Sequence, residues 1–516
     1  MLGSFTFSAV IFGGFVPFTP CQRGHARREF RPPASMALNP GQGLGLGKMA
    51  KHHTEQEVKF WTCNLTLQHK NMTISTLILC LSLGSYFLAT SLQNVAITDS
   101  SDIDSTVGYV SGGVYYASSC VGAILFPVVN RLMNRTVLTV VALMSYLMFY
   151  ASMFMLREWA IYLGSALSGA GGSILFILSL KSIADNSPTE HLQRNMALFW
   201  AAVSVANVIN NLVNYFYIQH LAKITNTIRV TVYGTLAGFC VVAMVLALFG
   251  EKDEKDRGQD AKCEVYGQDG ANGEVKIELD SIAGRKDAKV EKAASRGSET
   301  QDVKKKIKEK LKFLTEQSRR RSLWIIVVYQ FFSGTLWGYV QKALPVAIGV
   351  TFAKRSVINL SGLVVGLCTL VGSLAFKKLR DLTNNTVCTV VMMIMALAAC
   401  TLSYLVFPYD ANISLTPAGT SYMNPEVYHV ALISILLSLT DTGFNVMGFA
   451  VAALMFDGDT ATAFSFLDTT FCIGNGVMIT LAGFVDLHSY LILLAVLTVA
   501  TGLGYIIGLR KYIVQL

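Results

Sequence analysis

Charged residues are scarce in this chain of 516 residues: only 15% are Asp, Glu, Lys or Arg, whereas a typical soluble domain has about 25%. The charges that do occur are crowded into residues 251–321, and the segments on either side are nearly bare. Hydrophobic residues make up 52% of the chain. Because a large soluble protein needs a charged surface, this composition excludes one and indicates a protein that lies in a lipid bilayer.

The sequence also lacks the residue patterns of several functional classes. The net charge of +9 comes from the ends of apolar segments and from one mixed-sign linker, and no basic surface with interleaved aromatics is present, so we expect no nucleic-acid partner. The ten cysteines form no C-x-x-C pair and no zinc-like spacing with histidine. No nucleophile–base pair stands out in an apolar segment. We therefore expect no enzymatic activity, no cofactor and no metal site.

Twelve apolar segments are long enough to cross the hydrocarbon core as helices, which takes about 20 residues each. They predict an all-α integral membrane protein with one six-helix half over 73–250 and another over 323–516. Residues 251–322, rich in Gly, Lys, Glu and Asp, are predicted to be a charged linker, and residues 1–72 a disordered tail. Basic residues in the short loops place the linker and both termini in the cytoplasm. The N-x-S motif at Asn412 then lies outside and is the best glycosylation candidate.

An internal repeat relates the two halves. The segments Gly122–Val141 and Gly372–Val391 are identical at nine positions with a constant offset of 250 residues. Each segment covers the end of one span, a short loop and the start of the next span. Because an interval of six spans restores the same orientation, the repeat is parallel, about an axis along the membrane normal. That arrangement is the one found in the major facilitator fold.

Polar residues recur along single faces of several spans. Asn207, Asn211 and Asn214 form one such stripe, and Asp441 lies in the middle of a span without a basic residue on the same helix, where it could bind and release a proton. Such stripes either line a cavity or form hydrogen bonds that hold helices together. The residues predicted to line a central cavity are Gln93, Asn94, Asn207, Asn211, Asn214, Gln330, Trp337, Gln341, Asp441, Asn445, Asp468 and Asn475. The glycine pairs Gly334/Gly338, Gly362/Gly366 and Gly504/Gly508 predict close helix packing.

Several blocks resemble a known family. Residues 441–445 (DTGFN) fit its D-x-x-[FW]-N pattern and are followed without gaps by Asp459 and the Ala-rich segment 461–464. The blocks 93–96 (QNVA) and 331–334 (FFSG) also fit. The chain resembles the uncoordinated-93-like family of the major facilitator superfamily. This resemblance implies a twelve-helix facilitator fold, in a family that includes potassium-channel regulators as well as transporters of unknown substrate.

Two functional hypotheses follow. The first is a multi-pass membrane protein that acts as a secondary transporter of a small polar or amphipathic solute, by rocking of the halves. The second is a non-transporting membrane partner that regulates an ion channel, such as a potassium channel. The partners expected are thus the lipid bilayer, an unknown small solute and, under the second hypothesis, a channel. The plasma membrane and an endolysosomal membrane fit the sequence equally well.

Overall fold

The structure is a computed structural model. It describes residues 57–60, 63–98, 107–188, 191–216, 225–250, 321–352, 355–413, 419–455 and 460–508. Residues 1–56 and 251–320 lie outside this description, so most of the predicted tail and of the predicted linker is not covered.

The described chain begins earlier than hydropathy predicts. Strands β1 (Glu57–Phe60) and β2 (Cys63–Thr66) pair antiparallel, and helix α1 begins at Leu67. Residues 57–72 were expected to belong to the tail, and this boundary differs because the first turns of α1 are polar and score poorly on hydropathy. Asn71 in these turns is nevertheless only 2% exposed, since its amide contacts the Asn186 side chain at 3.4 Å.

The remaining helices follow one another along the chain. They are α2 (Val107–Leu132), α3 (Arg135–Met155), α4 (Glu158–Asp185), α5 (Leu192–Phe216), α6 (Asn226–Leu248), α7 (Arg321–Gly338), α8 (Leu344–Phe352), α9 (Arg355–Leu382), α10 (Asn385–Val406), α11 (Val427–Met455), α12 (Thr460–Leu481) and α13 (Leu487–Gly508). A π-turn over Tyr339–Ala343 joins α7 directly to α8. We call the end of the bundle that holds residues 133–134 and 383–384 the basic face, and the other end the opposite face.

Eleven helices of the described chain are long and apolar enough to span a membrane. They are α1 to α6 and α9 to α13. The further span predicted near 323–348 falls on α7, the π-turn and α8, where the wide turn interrupts the α-helix. A helical bundle of multi-pass character is therefore confirmed, and the count of twelve stays a prediction.

The two halves repeat the same helix packing. In the first half α2 packs on α4, α3 on α6 and α1 on α5; in the second half α9 packs on α11, α10 on α13 and α7 on α12. In both repeated loops an asparagine side chain caps the N-terminus of the next helix. Asn134 accepts a hydrogen bond from the Thr136 amide and Asn384 accepts one from the Val387 amide, both at 2.9 Å, and each thereby caps the following helix.

The halves meet through two equivalent pairs of helices, α2 with α12 and α5 with α9. Glycine allows close approach at the second pair, because a Cβ atom on Gly366 would lie 2.9 Å from the Val208 side chain. At the first pair, Ser465 on α12 donates a hydrogen bond to the Ala123 carbonyl on α2. The interface thus has the same approximate two-fold symmetry as the repeat.

Large apolar side chains cover the outside of the bundle. Ile124 and Leu125 on α2 are 57% and 49% exposed, and similar residues occur on α3, α6 and α13. Trp159, near the opposite-face end of α4, is 61% exposed, and Trp324, near the basic-face end of α7, is 56% exposed. Tryptophan at both ends of an apolar belt is typical of membrane–water interfaces. The chain is a multi-pass membrane protein.

Candidate functional site

A cavity of about 550 Å³ lies between the two halves. Its wall is formed by α1, α2, α4 and α5 of the first half and by α7, the π-turn, α9, α11 and α12 of the second. Ligand pockets for small molecules typically measure about 300–1,000 Å³. The cavity is thus large enough for a small solute, and both halves contribute to its wall.

Most of the polar residues singled out in the sequence lie on this wall. Those that line the cavity are Gln93, Asn207, Asn211, Gln330, Trp337, Gln341, Asp441, Asn445 and Asp468. Asn475 is fully buried on α12 next to the wall, with its side-chain oxygen 3.2 Å from the Cβ position of Gly338. The side chains of Asn94 and Asn214 lie outside the description of the structure. The structure therefore brings nine of the twelve residues together around one space.

Asp441 is held by neutral donors from two helices. Its carboxylate accepts hydrogen bonds from Ser333 on α7 at 3.1 Å and from the Asn445 amide nitrogen at 3.1 Å. The Asn445 oxygen in turn accepts a bond from Gln330 at 3.2 Å. Among the described ion pairs, none involves Asp441. An ionisable residue inside a membrane span is by default a functional-site hypothesis, and a functional role of Asp441 stays a prediction.

Asp468 links the two halves. It lies on α12 and accepts a hydrogen bond from Ser173 on α4, and both residues line the cavity. Close by, Tyr116 on α2 donates a hydrogen bond to Gln341 of the π-turn. Hydrogen bonds between the two halves are therefore present at the cavity wall. Residues of this wall both line the cavity and hold helices together.

Lys342 is a cavity residue that the sequence reading missed. It is part of the π-turn and lines the cavity, and a Cβ atom added to Gly112 on α2 would lie 3.9 Å from its Nζ atom. A lysine inside an apolar segment is itself a signal, because a charge within a span is costly. It was overlooked because the span was expected to end soon after it.

Four aromatic residues from both halves pack together on the basic-face side of Asp441; we call them the aromatic cluster. Phe176 on α4 and Trp200 on α5 pack against Phe449 on α11, with ring centroids 5.8 Å and 5.9 Å apart, and Phe449 packs against Phe464 on α12 at 5.9 Å. All four lie closer to the basic-face ends of their helices than Asp441 does, and Phe449 and Phe464 also lie closer than Asp468 does. The aromatic cluster therefore joins the halves on the basic-face side of Asp441.

Several buried polar atoms at the wall have no protein partner within the described residues. They are the Gln330 Oε1, Asn210 Oδ1 and Trp200 Nε1 atoms. Buried polar groups are almost always hydrogen-bonded, to protein or to water. One donor and two acceptors are thus left over among the residues that line the cavity.

The described residues contain no group of three or more His, Cys, Asp or Glu side chains placed to hold a metal ion. Away from the cavity, Asn412 lies in the loop after α10 and is only half-buried. Its amide nitrogen donates to the carbonyls of Ala482 and Val485, both at 2.8 Å. A glycan on this nitrogen would replace both bonds, and glycosylation of Asn412 stays a prediction.

Comparisons with known proteins agree with this architecture. The family described as "Ion channel regulatory protein UNC-93" matches residues 99–506. The UNC93-like protein MFSD11 of Xenopus laevis is 23% identical over 438 residues, which is 81% of this chain and 92% of that protein. The Xenopus tropicalis protein of the same name is 23% identical over 433 residues, again 81% of this chain and 92% of that protein. The resemblance of the sequence blocks to the subgroup called major facilitator superfamily domain-containing protein 11 is thereby confirmed.

Solved structures show the same fold. The chain is similar to the proton:xylose symporter XylE bound to 6-bromo-6-deoxy-D-glucose, with a TM-score of 0.58 and 15% identity over 87% of this chain and 96% of that one. It is also similar to the partially occluded inward-open xylose transporter XylE from E. coli, with a TM-score of 0.57 and 15% identity over 87% of this chain and 98% of that one. At this identity the likeness shows the fold alone, which is the major facilitator fold. With the family match covering most of its length, the chain belongs to the UNC-93 family.

Proposed function

We propose that this protein is a secondary transporter that carries a small polar or amphipathic solute through the cavity between its halves by alternating access. The observation that supports this most directly is the cavity itself, which both halves line and whose wall includes Asp441, Asp468 and several side-chain amides. In parallel-repeat transporters the solute site lies at the interface of the repeats near the middle of the membrane. A bundle held only by interhelical hydrogen bonds would not need a cavity of this size.

The two interface pairs supply the surfaces on which the halves could rock. Toward the basic face the halves touch through the aromatic cluster and through the hydrogen bond from Thr460 to Asp185, at 3.1 Å. Elsewhere the halves touch where Asn211 on α5 packs against Gly362 on α9. Rocking of one half on the other would loosen one set of contacts while the other set remains, as alternating access requires.

Thiol labelling tests this proposal. In a Cys472→Ala background, because Cys472 itself lines the cavity, Asn207→Cys should react with a small membrane-impermeant thiol reagent. Val208→Cys is the matched control, since the next residue points about 100° away on a helix and Val208 packs against Gly366. In sealed vesicles Asn207→Cys should react from either side of the membrane. Reaction from one side only would contradict alternating access, and equal reaction at both positions would contradict a defined path.

A second candidate function is regulation of an ion channel without transport. The printed description of the matching family favours it. Co-expression with a potassium channel separates the two: a regulator alters the channel current, and variants that block the cavity, such as Asn207→Trp, leave this effect unchanged. An unbiased comparison of metabolites in cells with and without the protein addresses the transporter directly, because a transported solute changes in amount.

A further inference from the structure

Two cysteines from different halves meet where α2 packs on α12. Cys120 lies near the middle of α2 and Cys472 near the middle of α12, and their thiol groups interact with each other. Both thiols are free in the structure. The Cys120 thiol donates to the Thr469 carbonyl of α12 at 3.8 Å, so its sulfur lies against the helix that carries Cys472.

Contacts on either side of this cysteine pair hold the two helices close together. One turn away in both helices, a Cβ atom on Gly476 would lie 3.7 Å from the Tyr116 Cβ atom. On the other side of the pair, Ser465 donates a hydrogen bond to the Ala123 carbonyl. Residue numbers thus rise along α2 as they fall along α12. Because residues four apart share a helix face, the two cysteines, each four residues from the first contact, face each other between the two contacts.

This spacing of the helices suits a disulfide bond. The Cβ atoms of bridged cysteines lie about 3.5–4.5 Å apart, and the facing positions one turn away have a Cβ–Cβ distance of 3.7 Å. Both cysteines lie inside continuous α-helices that are held together above and below the pair. An S–S bond can therefore form here with little movement of the backbone.

The cavity gives a small oxidant access to one of the two thiols. Cys472 lines the cavity together with Asp468, one turn earlier on α12, and its thiol donates to the Asp468 carboxylate at 4.0 Å. Cys120 is half-buried and does not belong to the described cavity lining. A peroxide that enters the cavity therefore meets Cys472 first, and Cys120 is the nearest partner with which the oxidised sulfur can react.

We propose that Cys120 and Cys472 form a redox-sensitive pair that closes into a disulfide between the two halves when hydrogen peroxide enters the cavity. The peroxide oxidises the Cys472 sulfur to a sulfenic acid; its O–O bond breaks, and one oxygen leaves as water with the thiol proton. The Cys120 sulfur then attacks the Cys472 sulfur, as sulfenic acids condense with thiols. The S–S bond forms, the S–O bond breaks, and the hydroxyl leaves as a second water with the Cys120 proton.

The bridge would join α2 to α12, one of the two helix pairs through which the halves meet. Relative movement of these helices would be restrained near the middle of the membrane. Transport would then stop until a thiol reductant reopens the bond by thiol–disulfide exchange. This consequence rests on the transport function proposed above, whereas formation of the bridge does not.

Cleavage of the chain between the halves tests the bridge. A protease site is inserted within 251–320 of the full-length protein, membranes are treated with hydrogen peroxide, free thiols are blocked with N-ethylmaleimide, and the chain is cut. On a non-reducing gel the halves should migrate together after oxidation, and separately before oxidation or after dithiothreitol. Mass spectrometry of the natural chain should find the peptides of Cys120 and Cys472 joined, with the loss of two hydrogens.

Single substitutions identify the cysteines that form the bridge. Cys120→Ser and Cys472→Ser should each abolish the joined band. The matched controls are Cys368→Ser and Cys400→Ser, since Cys368 is partly exposed like Cys120 and Cys400 is buried like Cys472; both should retain the band. Separate halves in the oxidised natural chain, a joined band in Cys120→Ser, or Cys472 oxidised to sulfinic acid without a bridge would each overturn the proposal.

Thiol labelling at position 207 tests the consequence for movement. Asn207→Cys is prepared in a chain that keeps Cys120 and Cys472, and the label is measured on the peptide that contains position 207. After oxidation, reaction from one side of the membrane should be lost, and dithiothreitol should restore it. Reaction from both sides in the bridged chain would overturn the arrest of movement and leave the transport function standing. Reaction from one side only before oxidation would contradict the transport function, and the joined band would still decide the bridge.

Discussion

Replacement of Gly334 by alanine should test the close contact between α7 and α12. A Cβ atom on Gly334 would lie 2.1 Å from the Phe471 carbonyl oxygen, and one on Gly474 opposite would lie 2.3 Å from the Phe331 carbonyl oxygen. Ordinary contacts between heavy atoms lie near 3.5 Å, so the helices would have to move apart by about 1 Å or more. Because backbone carbonyls are the obstacle, no side-chain rotation can relieve the clash.

The expected loss of stability follows from two opposing terms. Forcing an extra carbon into a well-packed contact costs about 1–3 kcal/mol, and replacing glycine by alanine in a helix contributes up to about 1 kcal/mol. Gly334→Ala should therefore be destabilised by up to about 2 kcal/mol. Gly504 on α13 has no atom within 4 Å of its Cβ position, so Gly504→Ala creates no clash. Because alanine has a higher helix propensity than glycine, this variant should be as stable as the natural chain, or up to about 1 kcal/mol more stable.

The assay is the fraction of folded protein that remains after heating, measured by size exclusion of both variants in the same detergent. Both substitutions replace glycine by alanine in a helix, so the effects of helix propensity and of the detergent are the same in the two variants. Gly334→Ala should lose its folded fraction at a lower temperature than Gly504→Ala. Equal midpoints would refute the argument that backbone contact at Gly334 holds α7 against α12.

Three further predictions concern other parts of the chain. Asp441→Leu should lower protein abundance relative to Asp441→Asn, because Ser333 loses its acceptor while the asparagine oxygen can replace it; equal abundance in immunoblots would contradict this. Asn412→Ala should destabilise the loops by about 1–3 kcal/mol through two unpaired carbonyls, and an unchanged melting temperature would show that neither bond matters. An epitope inserted within 251–320 should be inaccessible to antibody on intact cells, because the basic short loops predict that this segment is cytoplasmic. Staining of the epitope on intact cells would contradict this orientation.

Features with a regular spacing were predicted well from the sequence. The apolar segments and the polar stripe through Asn207 and Asn211 depend on helical periodicity, which the eleven described spans follow. The 250-residue repeat follows from identical residues. The close contacts at Gly334 and Gly362 were also anticipated. Gly504, predicted to pack in the same way, has open space around it, because a G-x-x-x-G spacing does not show whether its face meets a helix or lipid.

Features that depend on tertiary contact were missed. Ser173 bonds to Asp468 although the two residues are 295 positions apart, and no local pattern marks such a pair. The π-turn places Gln341 and Lys342 on the wall, and one wider turn cannot be distinguished by hydropathy from a regular helix. The buried first turns of α1 were missed because a hydropathy scale scores Asn71 as polar and does not take its hydrogen bond to Asn186 into account.

The aromatic cluster has a consequence for the effect of temperature. Separation of Phe176 and Trp200 from Phe449 and Phe464 would expose aromatic surface to water, and each such side chain buries about 150–250 Å² when fully covered. Exposure of apolar surface raises the heat capacity, so the alternating access proposed above predicts that the logarithm of the constant for opening the basic face follows a curved line against inverse temperature. Because hydrophobic contact weakens on cooling, the cold protein should spend more of its time open on this side than the warm one.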